Sequence, residues 1–336
     1  MAAARATSPL RLVDLPQVRV SALDALLDEE TGQWQAMLGW DFRPSAAMVR
    51  RLVGLRTLAG AALMAGETAF GYAYVVADDR KGLIGGLFVS AEYRAPAHEF
   101  LLLESALNEL FGRWAVTRVE SQLMMLSSPP GAELPYADRL KVHPRQYMVI
   151  AGRLIPHLAP GPAARKALIE NWTPGRVDEA ASVIAAAYRG HVDSEVNDQY
   201  CSVGGSHRFL TNLMNYPGCG AFFAPASFVA VDAWTGRACG VCLASLLSTG
   251  VGHITQICVT PALKGKGLGY ELMRRSLLAL AEAGCRRVSL TVTTSNTRAV
   301  RLYERIGFEP AHSFSALVWD LHGAWNGGLP GARPRA

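Results

Sequence analysis

The chain has 336 residues, half of them apolar and 18% charged. This composition is that of a globular protein large enough for two domains, and it excludes disorder for most of the chain. The net charge of +5 is mild and the basic residues are scattered, so we expect no nucleic-acid partner. No apolar run approaches the roughly 20 residues that a membrane span needs, so we expect no membrane partner either.

The two halves of the chain show the same order of predicted elements. In the first half, residues 66–124 predict strands, a helix and a further strand, and residues 226–294 repeat that order. A shift of 170 residues places Val89 on Val259, Arg94 on Lys264 and Leu107 on Leu277. We interpret this as the duplication of a whole domain, not as a short solenoid repeat.

A proline-rich segment over 153–175 separates the two halves and is typical of a linker. We therefore expect a first domain at 1–155, a linker at 156–172, a second domain at 173–322 and a flexible tail at 323–336.

The second half contains all six cysteines, at 201, 219, 239, 242, 258 and 285. Cys239 and Cys242 form a CxxC pair, but no second pair or suitably spaced histidines follow, so we expect no metal site. The pair lies in a predicted strand, where residues three apart face opposite sides. Small buried thiols in a reducing compartment explain the cysteines best, which favours the cytoplasm.

The stretch from Lys264 to Gly269, KGKGLG, stands between a strand ending at Val259 and a helix predicted over Leu268 to Ala283. It has two explanations, a flexible turn or a cradle for a phosphate. A helix N-terminus offers unpaired N–H groups and a partial positive charge, and glycines let the backbone approach an anion closely. The spacing fits neither the Walker loop nor the dinucleotide fingerprint.

The context of this stretch resembles a known family. Lys264-x-x-Gly267-x-Gly269 after a strand, followed about 25 residues on by SNTRAVRLYERIGFEP, resembles the two signatures of the GNAT superfamily of acyl-CoA-dependent N-acyltransferases. The resemblance covers residues 165 to 322 well and the first half only in outline. It implies an α/β fold of the α+β type with mixed sheets, as two GNAT-like domains in tandem.

The resemblance also implies which residues bind acetyl-CoA as a co-substrate. Backbone amides of the glycine loop would hold the pyrophosphate, and the end of the preceding strand would pair with the pantetheine arm. The implied residues are Cys258, Val259, Lys264, Gly265, Lys266, Gly267, Leu268, Gly269, Asn296 and Tyr303. Asn296 has a second explanation, because an asparagine is a good N-cap for the helix that follows it.

Two residues are candidates for proton transfer. Tyr303 matches the family's tyrosine, which would protonate the departing thiolate, although a half-buried core aromatic is the alternative. His253 stands where the family often has a glutamate that accepts the proton of the amine, and an imidazole suits that task near neutral pH. A histidine without a catalytic role is the alternative, with Thr255 and Gln256 as side chains that could order a water.

The acceptor-binding side is less defined by the sequence. Asp193, Glu195 and Asp198 lie where the family shapes its acceptor pocket, and they would either hold a cationic amine or form a solvated acidic loop. The resemblance implies acetyl transfer from acetyl-CoA directly to a primary amine of a small molecule or peptide, by a monomer or homodimer. The alternatives are a non-catalytic acyl-CoA sensor and a tandem enzyme similar to mycothiol synthase.

The first copy differs at the loop, where RAPAHE over 94–99 replaces the glycine stretch. Pro96 removes an amide, and Glu99 would place a carboxylate near a phosphate. We therefore expect the first copy not to bind CoA and to help build the acceptor cleft. Because the same strand, turn and helix occur there without glycines, we also infer that the fold itself does not require Gly265, Gly267 and Gly269.

Overall fold

The computed structural model describes residues 10–321, except 79, 115, 128–133, 162–167 and 217. Within the described residues there are eight α-helices and thirteen strands. The helices are α1 (Val20–Leu38), α2 (Arg43–Gly54), α3 (Pro96–Asn108), α4 (Val177–Tyr188), α5 (Val192–Val196), α6 (Val203–Asn215), α7 (Leu268–Glu282) and α8 (Thr297–Ile306). The expected tail at 323–336 and the central part of the expected linker lie outside the described residues.

The strands come mostly in runs between the helices. They are β1 (Leu10–Asp14), β2 (Ala59–Ala65), β3 (Thr68–Asp78), β4 (Lys81–Val89), β5 (Arg118–Gln122), β6 (Leu140–Ala151), β7 (Leu168–Asn171), β8 (Ala221–Phe222), β9 (Phe228–Val231), β10 (Ala238–Ser248), β11 (Val251–Val259), β12 (Arg287–Thr293) and β13 (Glu309–Asp320).

The chain forms two compact units that are not contiguous in sequence. Unit 1 comprises Met1–Leu26, Leu52–Val142 and Ser315–Ala336, and unit 2 comprises Leu27–Arg51 and His143–Phe314. The expected division into 1–155 and 173–322 does not follow these units. A local composition signal such as the proline-rich segment cannot reveal that β6 and β13 each cross from one unit to the other.

Unit 1 is a mixed sheet in which β1, β2, β3, β4 and β5 follow one another, and the C-terminal half of β13 adds to β5. Only the β4–β5 pair is parallel among these pairs. The core lies between the sheet and α3, where Leu102, Leu107 and Trp319 are fully buried.

Unit 2 is a mixed sheet with the strand order β6, β12, β11, β10, β9 and β7. Here β11 and β12 are parallel, while β12 pairs antiparallel with β6. One face packs against α7 and α8 through an apolar cluster that includes Leu272, Leu277 and Phe308. The other face packs against α4 and α6. The expected α/β fold with mixed sheets is thus confirmed.

The two units repeat one irregularity at an interval of 170 residues. In unit 1 the β3–β4 register shifts at Tyr74/Val75, leaving Gly85 without a partner. In unit 2 the β10–β11 register shifts at Leu243/Ala244, leaving Thr255 without a partner. A β-bulge is a specific local feature that bends its strand, so its recurrence supports the duplication inferred from the sequence.

Candidate active site

The centre of unit 2 is a gap between its two parallel strands. Pairing of β11 with β12 ends at Ile254 and Leu290, although β11 continues to Val259 and β12 continues to Thr293. The bulge at Thr255 stands at the point of separation, and its hydroxyl donates to the Leu243 carbonyl (3.0 Å). The bulge bends β11 away from β12, so beyond it the two strands do not pair with each other and leave room between them for a ligand.

The glycine loop leads from the end of β11 into α7, which begins at Leu268 as predicted. Gly265 and Gly267 have φ angles of +82° and +85°, which side-chain-bearing residues rarely adopt. The intrahelical pattern begins with the Glu271 N–H on the Gly267 carbonyl, so the N–H groups of the three preceding residues have no intrahelical partner. This cradle of free amides at a positive helix end fits a phosphate.

The inference that the fold does not require the loop glycines is wrong for Gly265 and Gly267. Their left-handed backbone makes glycine a conformational requirement of this loop. The first copy makes its turn differently, because Arg94 and Ala95 have φ angles of −66° and −146°. Gly269 does agree with the inference, since an added Cβ there would meet nothing within 4 Å and its φ is not positive.

The two loop lysines have different surroundings. The Lys264 ammonium donates to the Ala187 carbonyl in the last turn of α4 (2.9 Å), so it ties the loop to that helix end. Lys266 is exposed. Of the two lysines, Lys266 therefore has the ammonium that is not tied to α4 and can approach a bound phosphate.

A third cation, which sequence reasoning missed, lies beside the loop. The guanidinium of Arg298 in α8 is so near Gly265 that an added Cβ would stand 2.6 Å from its Nη2. Arg298 also lines an open cleft of about 610 Å³ along α8, together with Arg301 and Arg305. Arg298 lies two residues after Asn296 within the second signature, and this position could have identified it as a candidate from the sequence.

Asn296 immediately precedes α8, and Tyr303 lies in the last turn of that helix. The Asn296 side chain accepts from the Ala299 N–H (3.3 Å), so it does act as the N-cap. Tyr303 is 8% exposed and packs edge-on against Phe308. Burial, together with the negative charge of Asp193, raises the pKa of the Tyr303 phenol, which therefore holds its proton at neutral pH.

Cys258 and Val259 end β11 as predicted, both half-buried. Burial raises the pKa of the Cys258 thiol to about 12, so the thiol stays protonated and is a poor nucleophile. This agrees with acetyl transfer that involves no acyl-enzyme.

His253 is buried on β11, with 4% of its surface exposed. Its Nδ1 lies 2.9 Å from the Ser289 hydroxyl, which donates to the Gly252 carbonyl (3.2 Å), so Nδ1–H is the donor to Ser289. The ring lies against Trp40 (5.7 Å between centroids) and Tyr147 (6.1 Å). Burial, assisted by the charge of a nearby arginine, lowers the pKa of His253 to about 3.

Such a histidine is neutral at physiological pH and accepts a proton poorly. The general-base role expected for His253 therefore has weak physical support, and the alternative of a packed, hydrogen-bonded histidine has more. Of the two polar alternatives, Thr255 donates its hydroxyl hydrogen to a backbone carbonyl. Gln256 has a buried Nε2 without a hydrogen-bond partner and remains able to order a water.

The acidic loop contributes one carboxylate to the open end of the gap. Asp193 accepts a 2.5 Å hydrogen bond from the Thr293 hydroxyl at the end of β12. Its charge helps to raise the pKa of both Tyr188 and Tyr200, whose rings stack at 4.7 Å. Glu195 is exposed, and Asp198 is half-buried in the turn after α5.

In unit 1 the two parallel strands also separate, but a carboxylate stands at the position equivalent to the glycine loop. Four residue pairs join β4 to β5 before the strands separate at Ile84 and Ser121. Glu99, at the position equivalent to Gly269, is 1% exposed and accepts hydrogen bonds from the Ser127 N–H (2.9 Å) and hydroxyl (2.6 Å). A buried carboxylate in the first turn of α3 disfavours a phosphate at that helix end.

Across the part of the chain that the structure describes, no helix is long and apolar enough to cross a membrane. Likewise, no group of three or more His, Cys, Asp or Glu side chains in those residues is arranged to hold a metal ion.

Known proteins share both the sequence around this gap and the fold. The sequence profile of the acetyltransferase (GNAT) family matches residues 197–308. A mycothiol acetyltransferase from Acidimicrobium ferrooxidans is 35% identical over 108 residues, which are 31% of this chain and 34% of that relative. The chain thus matches only about a third of this relative's length.

Two solved structures cover nearly the whole chain. A GCN5-related N-acetyltransferase from Sphaerobacter thermophilus superposes with a TM-score of 0.63 at 20% identity, covering 94% of this chain and 97% of that chain. A tandem GNAT protein from the clavulanic acid biosynthesis pathway superposes with a TM-score of 0.55 at 16% identity, covering 94% and 100%. Residues 197–308 therefore match the acetyltransferase (GNAT) family, and the fold of nearly the whole chain is similar to that of a tandem GNAT protein.

Proposed function

We propose that unit 2 binds acetyl-CoA in the gap between β11 and β12 and transfers its acetyl group directly to a primary amine. The observation that carries the proposal is the gap itself, with the glycine loop at one end and the protonated Tyr303 beside it. The GNAT family match over residues 197–308, which includes all of these elements, supports the same activity.

The residues of the loop suit the phosphates of acetyl-CoA. The amides from Leu268 to Tyr270 lack intrahelical partners, and the surroundings of Gly269 leave room for an anion to approach. Lys266 and Arg298 supply positive charge at the same place. The free edges of β11 and β12 offer the backbone hydrogen bonds that an extended amide-containing arm requires.

Acetyl-CoA supplies the acetyl group as a thioester. Attack by the neutral amine forms the new C–N bond, and the C–S bond then breaks. Tyr303 would give its proton to the departing sulfur as the C–S bond breaks, since its phenol holds a proton at neutral pH. The phenolate is reprotonated by the proton that the amine nitrogen loses on becoming an amide.

The acceptor arrives as an ammonium and must lose a proton before it attacks. We infer that this proton passes to the bulk solvent through a water in the gap, ordered by the side chain of Gln256. Asp193 would hold the ammonium at the open end of the gap until the proton leaves.

Release of CoA thiol from acetyl-CoA in the presence of a panel of amines tests the proposal. Amine-dependent thiol release that is lost in Gly267→Glu would support it. Calorimetric binding of acetyl-CoA without turnover on any amine would instead favour the acyl-CoA sensor. Unchanged rates in Gly267→Glu would exclude the loop from acetyl-CoA binding.

A mycothiol acetyltransferase activity is a second candidate. It is favoured by the identity of 35% over 108 residues with a relative of that name. Including the mycothiol precursor in the amine panel separates this candidate from acetylation of other amines.

A further inference from the structure

Arg145 lies on the unit 2 sheet at the open end of the gap. In the antiparallel β6–β12 pair it is opposite Thr293, the last residue of β12 and three residues beyond the point where β11 and β12 separate. Its Nη2 donates to the Thr291 hydroxyl (3.3 Å). The cation therefore lies beside the same stretch of β12 to which Asp193 is bound.

The guanidinium of Arg145 is poorly satisfied within the protein. Its Nε is buried and has no hydrogen-bond partner, and its Cζ lies 6.0 Å from the centre of the Phe314 ring. No carboxylate among the described residues is within ion-pair distance of it. A buried N–H is costly to leave unpaired, and arginine presents its donors as a planar fork that matches a carboxylate or phosphate.

The charge of Arg145 also reaches Tyr303, which we assign to the reaction, and two other side chains of unit 2. It opposes the rise in the pKa of Tyr303 and Tyr200 that burial and Asp193 cause, and it contributes to the low pKa of His253. Opposite charges thus stand on the two sides of Thr293, with Asp193 on α5 and Arg145 on β6. Such a pair complements a ligand that carries both an ammonium and an anion.

We propose that Arg145 binds an anionic group of the acceptor, so that the substrate is an amine that also carries a carboxylate or phosphate. This inference rests on the proposed function and narrows its acceptor class. The ammonium would face Asp193 and the anion would face Arg145, with the nitrogen directed at the gap.

The test uses the full chain and pairs of amines that differ only in the anion. Suitable pairs are glycine and glycinamide, L-glutamate and its diamide, and O-phosphoethanolamine and ethanolamine. With wild type, we expect kcat/KM to be at least about tenfold higher for the anionic member of a pair. Whether the carboxylate pairs or the phosphate pair show this preference tells which anion Arg145 binds. In Arg145→Met the preference should fall to near parity through KM of the anionic amine, with KM for acetyl-CoA unchanged.

Arg287→Met is the matched control, because Arg287 also has a buried, unpaired Nε but lies at the closed end of β12. It should leave the preference intact, and Arg145→Lys should restore part of it. Equal kcat/KM for both members of every pair in wild type overturns the inference while leaving acetyl transfer standing. An equal loss with both members of each pair in Arg145→Met also overturns it.

Calorimetric titration of the same amines into the protein with saturating CoA does not depend on turnover. An anionic amine that binds to wild type but not to Arg145→Met would support the inference even if no amine is acetylated. The absence of acetylation would then contradict the proposed catalysis. No binding and no turnover with any pair would sink both.

Discussion

His253 and Ser289 join β11 to β12 one residue pair before the strands separate. The Nδ1–Oγ distance is 2.9 Å, and the next pair, Ile254 and Leu290, is where the pairing ends. The hydrogen bond thus fixes the closed end of the gap in which we place the thioester. In this position a buried, neutral imidazole has a structural role.

The first prediction concerns stability and pH. The folded-state pKa of His253 is about 3, below its ordinary value of 6.5, so between these values the unfolded chain binds a proton that the native protein does not. The free energy of unfolding is therefore highest above the unfolded pKa and falls as the pH drops. This group should account for about 2 kcal/mol of lost stability between about pH 7 and pH 5.

Urea unfolding of wild type and His253→Asn across this pH range measures the effect. The difference in unfolding free energy between the two proteins should shrink by that amount as the pH falls. His207→Gln, which changes an exposed histidine of α6, is the comparison for the loss of a histidine as such. A wild type–His253→Asn difference that stays constant would mean that His253 is not a buried neutral base.

The second prediction concerns Tyr303→Phe. Removing the phenol should lower kcat by roughly 10²-fold or more while leaving KM for acetyl-CoA nearly unchanged, since the proton is needed only as the sulfur departs. Steady-state thiol release measures both quantities. Tyr216→Phe, which alters a tyrosine that is 60% exposed, is the control and should behave as wild type. An unaltered kcat in Tyr303→Phe would remove the residue from the reaction.

Local sequence signals predicted the elements that carry the loop and the second signature. The helix was expected from Leu268 and is found over Leu268–Glu282, and Asn296 does cap α8, which ends at a left-handed Gly307. These features depend on caps and glycines within a few residues, where the chain's preferences are strong. The tandem arrangement followed from the same order of elements in each half.

The surroundings of His253 could not be predicted in this way. Trp40 and Tyr147 lie more than 100 residues from it in sequence, and they reach it because Leu27–Arg51 and the segment from His143 onward both belong to unit 2. The position of Arg145 could not be predicted either, because the expected domain boundary at residue 155 places it in the first domain. Burial by such distant segments lowers the pKa of the imidazole below that of an isolated histidine.

The third prediction separates folding from ligand binding at the loop. Gly269→Ala should leave the unfolding free energy unchanged or raise it by up to about 1 kcal/mol, because its φ is ordinary, its surroundings are open and alanine favours the helix. It should nevertheless weaken acetyl-CoA binding about tenfold, because the new methyl group would lie where the phosphate must approach the amides.

Gly204→Ala is the matched control, since Gly204 also lies in the first turn of a helix with nothing within 4 Å of an added Cβ. Urea unfolding and calorimetric titration with acetyl-CoA would be run on both variants. Equal acetyl-CoA affinity in the two would contradict a pyrophosphate position at this helix end.

The fourth prediction concerns Arg298, whose guanidinium lies beside Gly265. Arg298→Gln should weaken acetyl-CoA binding roughly tenfold at low ionic strength, the effect of losing one charge-assisted hydrogen bond to a phosphate. The difference in acetyl-CoA affinity between wild type and variant should be smaller at high ionic strength. Salt screens the attraction between Arg298 and the phosphates, which only wild type has. Calorimetry at both ionic strengths gives the two affinities, and Arg208→Gln, an exposed arginine of α6, provides the comparison for a general change in charge. An equal loss in both variants would indicate that Arg298 acts only through the overall field of the protein, and the cation beside the loop would then have no direct part in holding the phosphates.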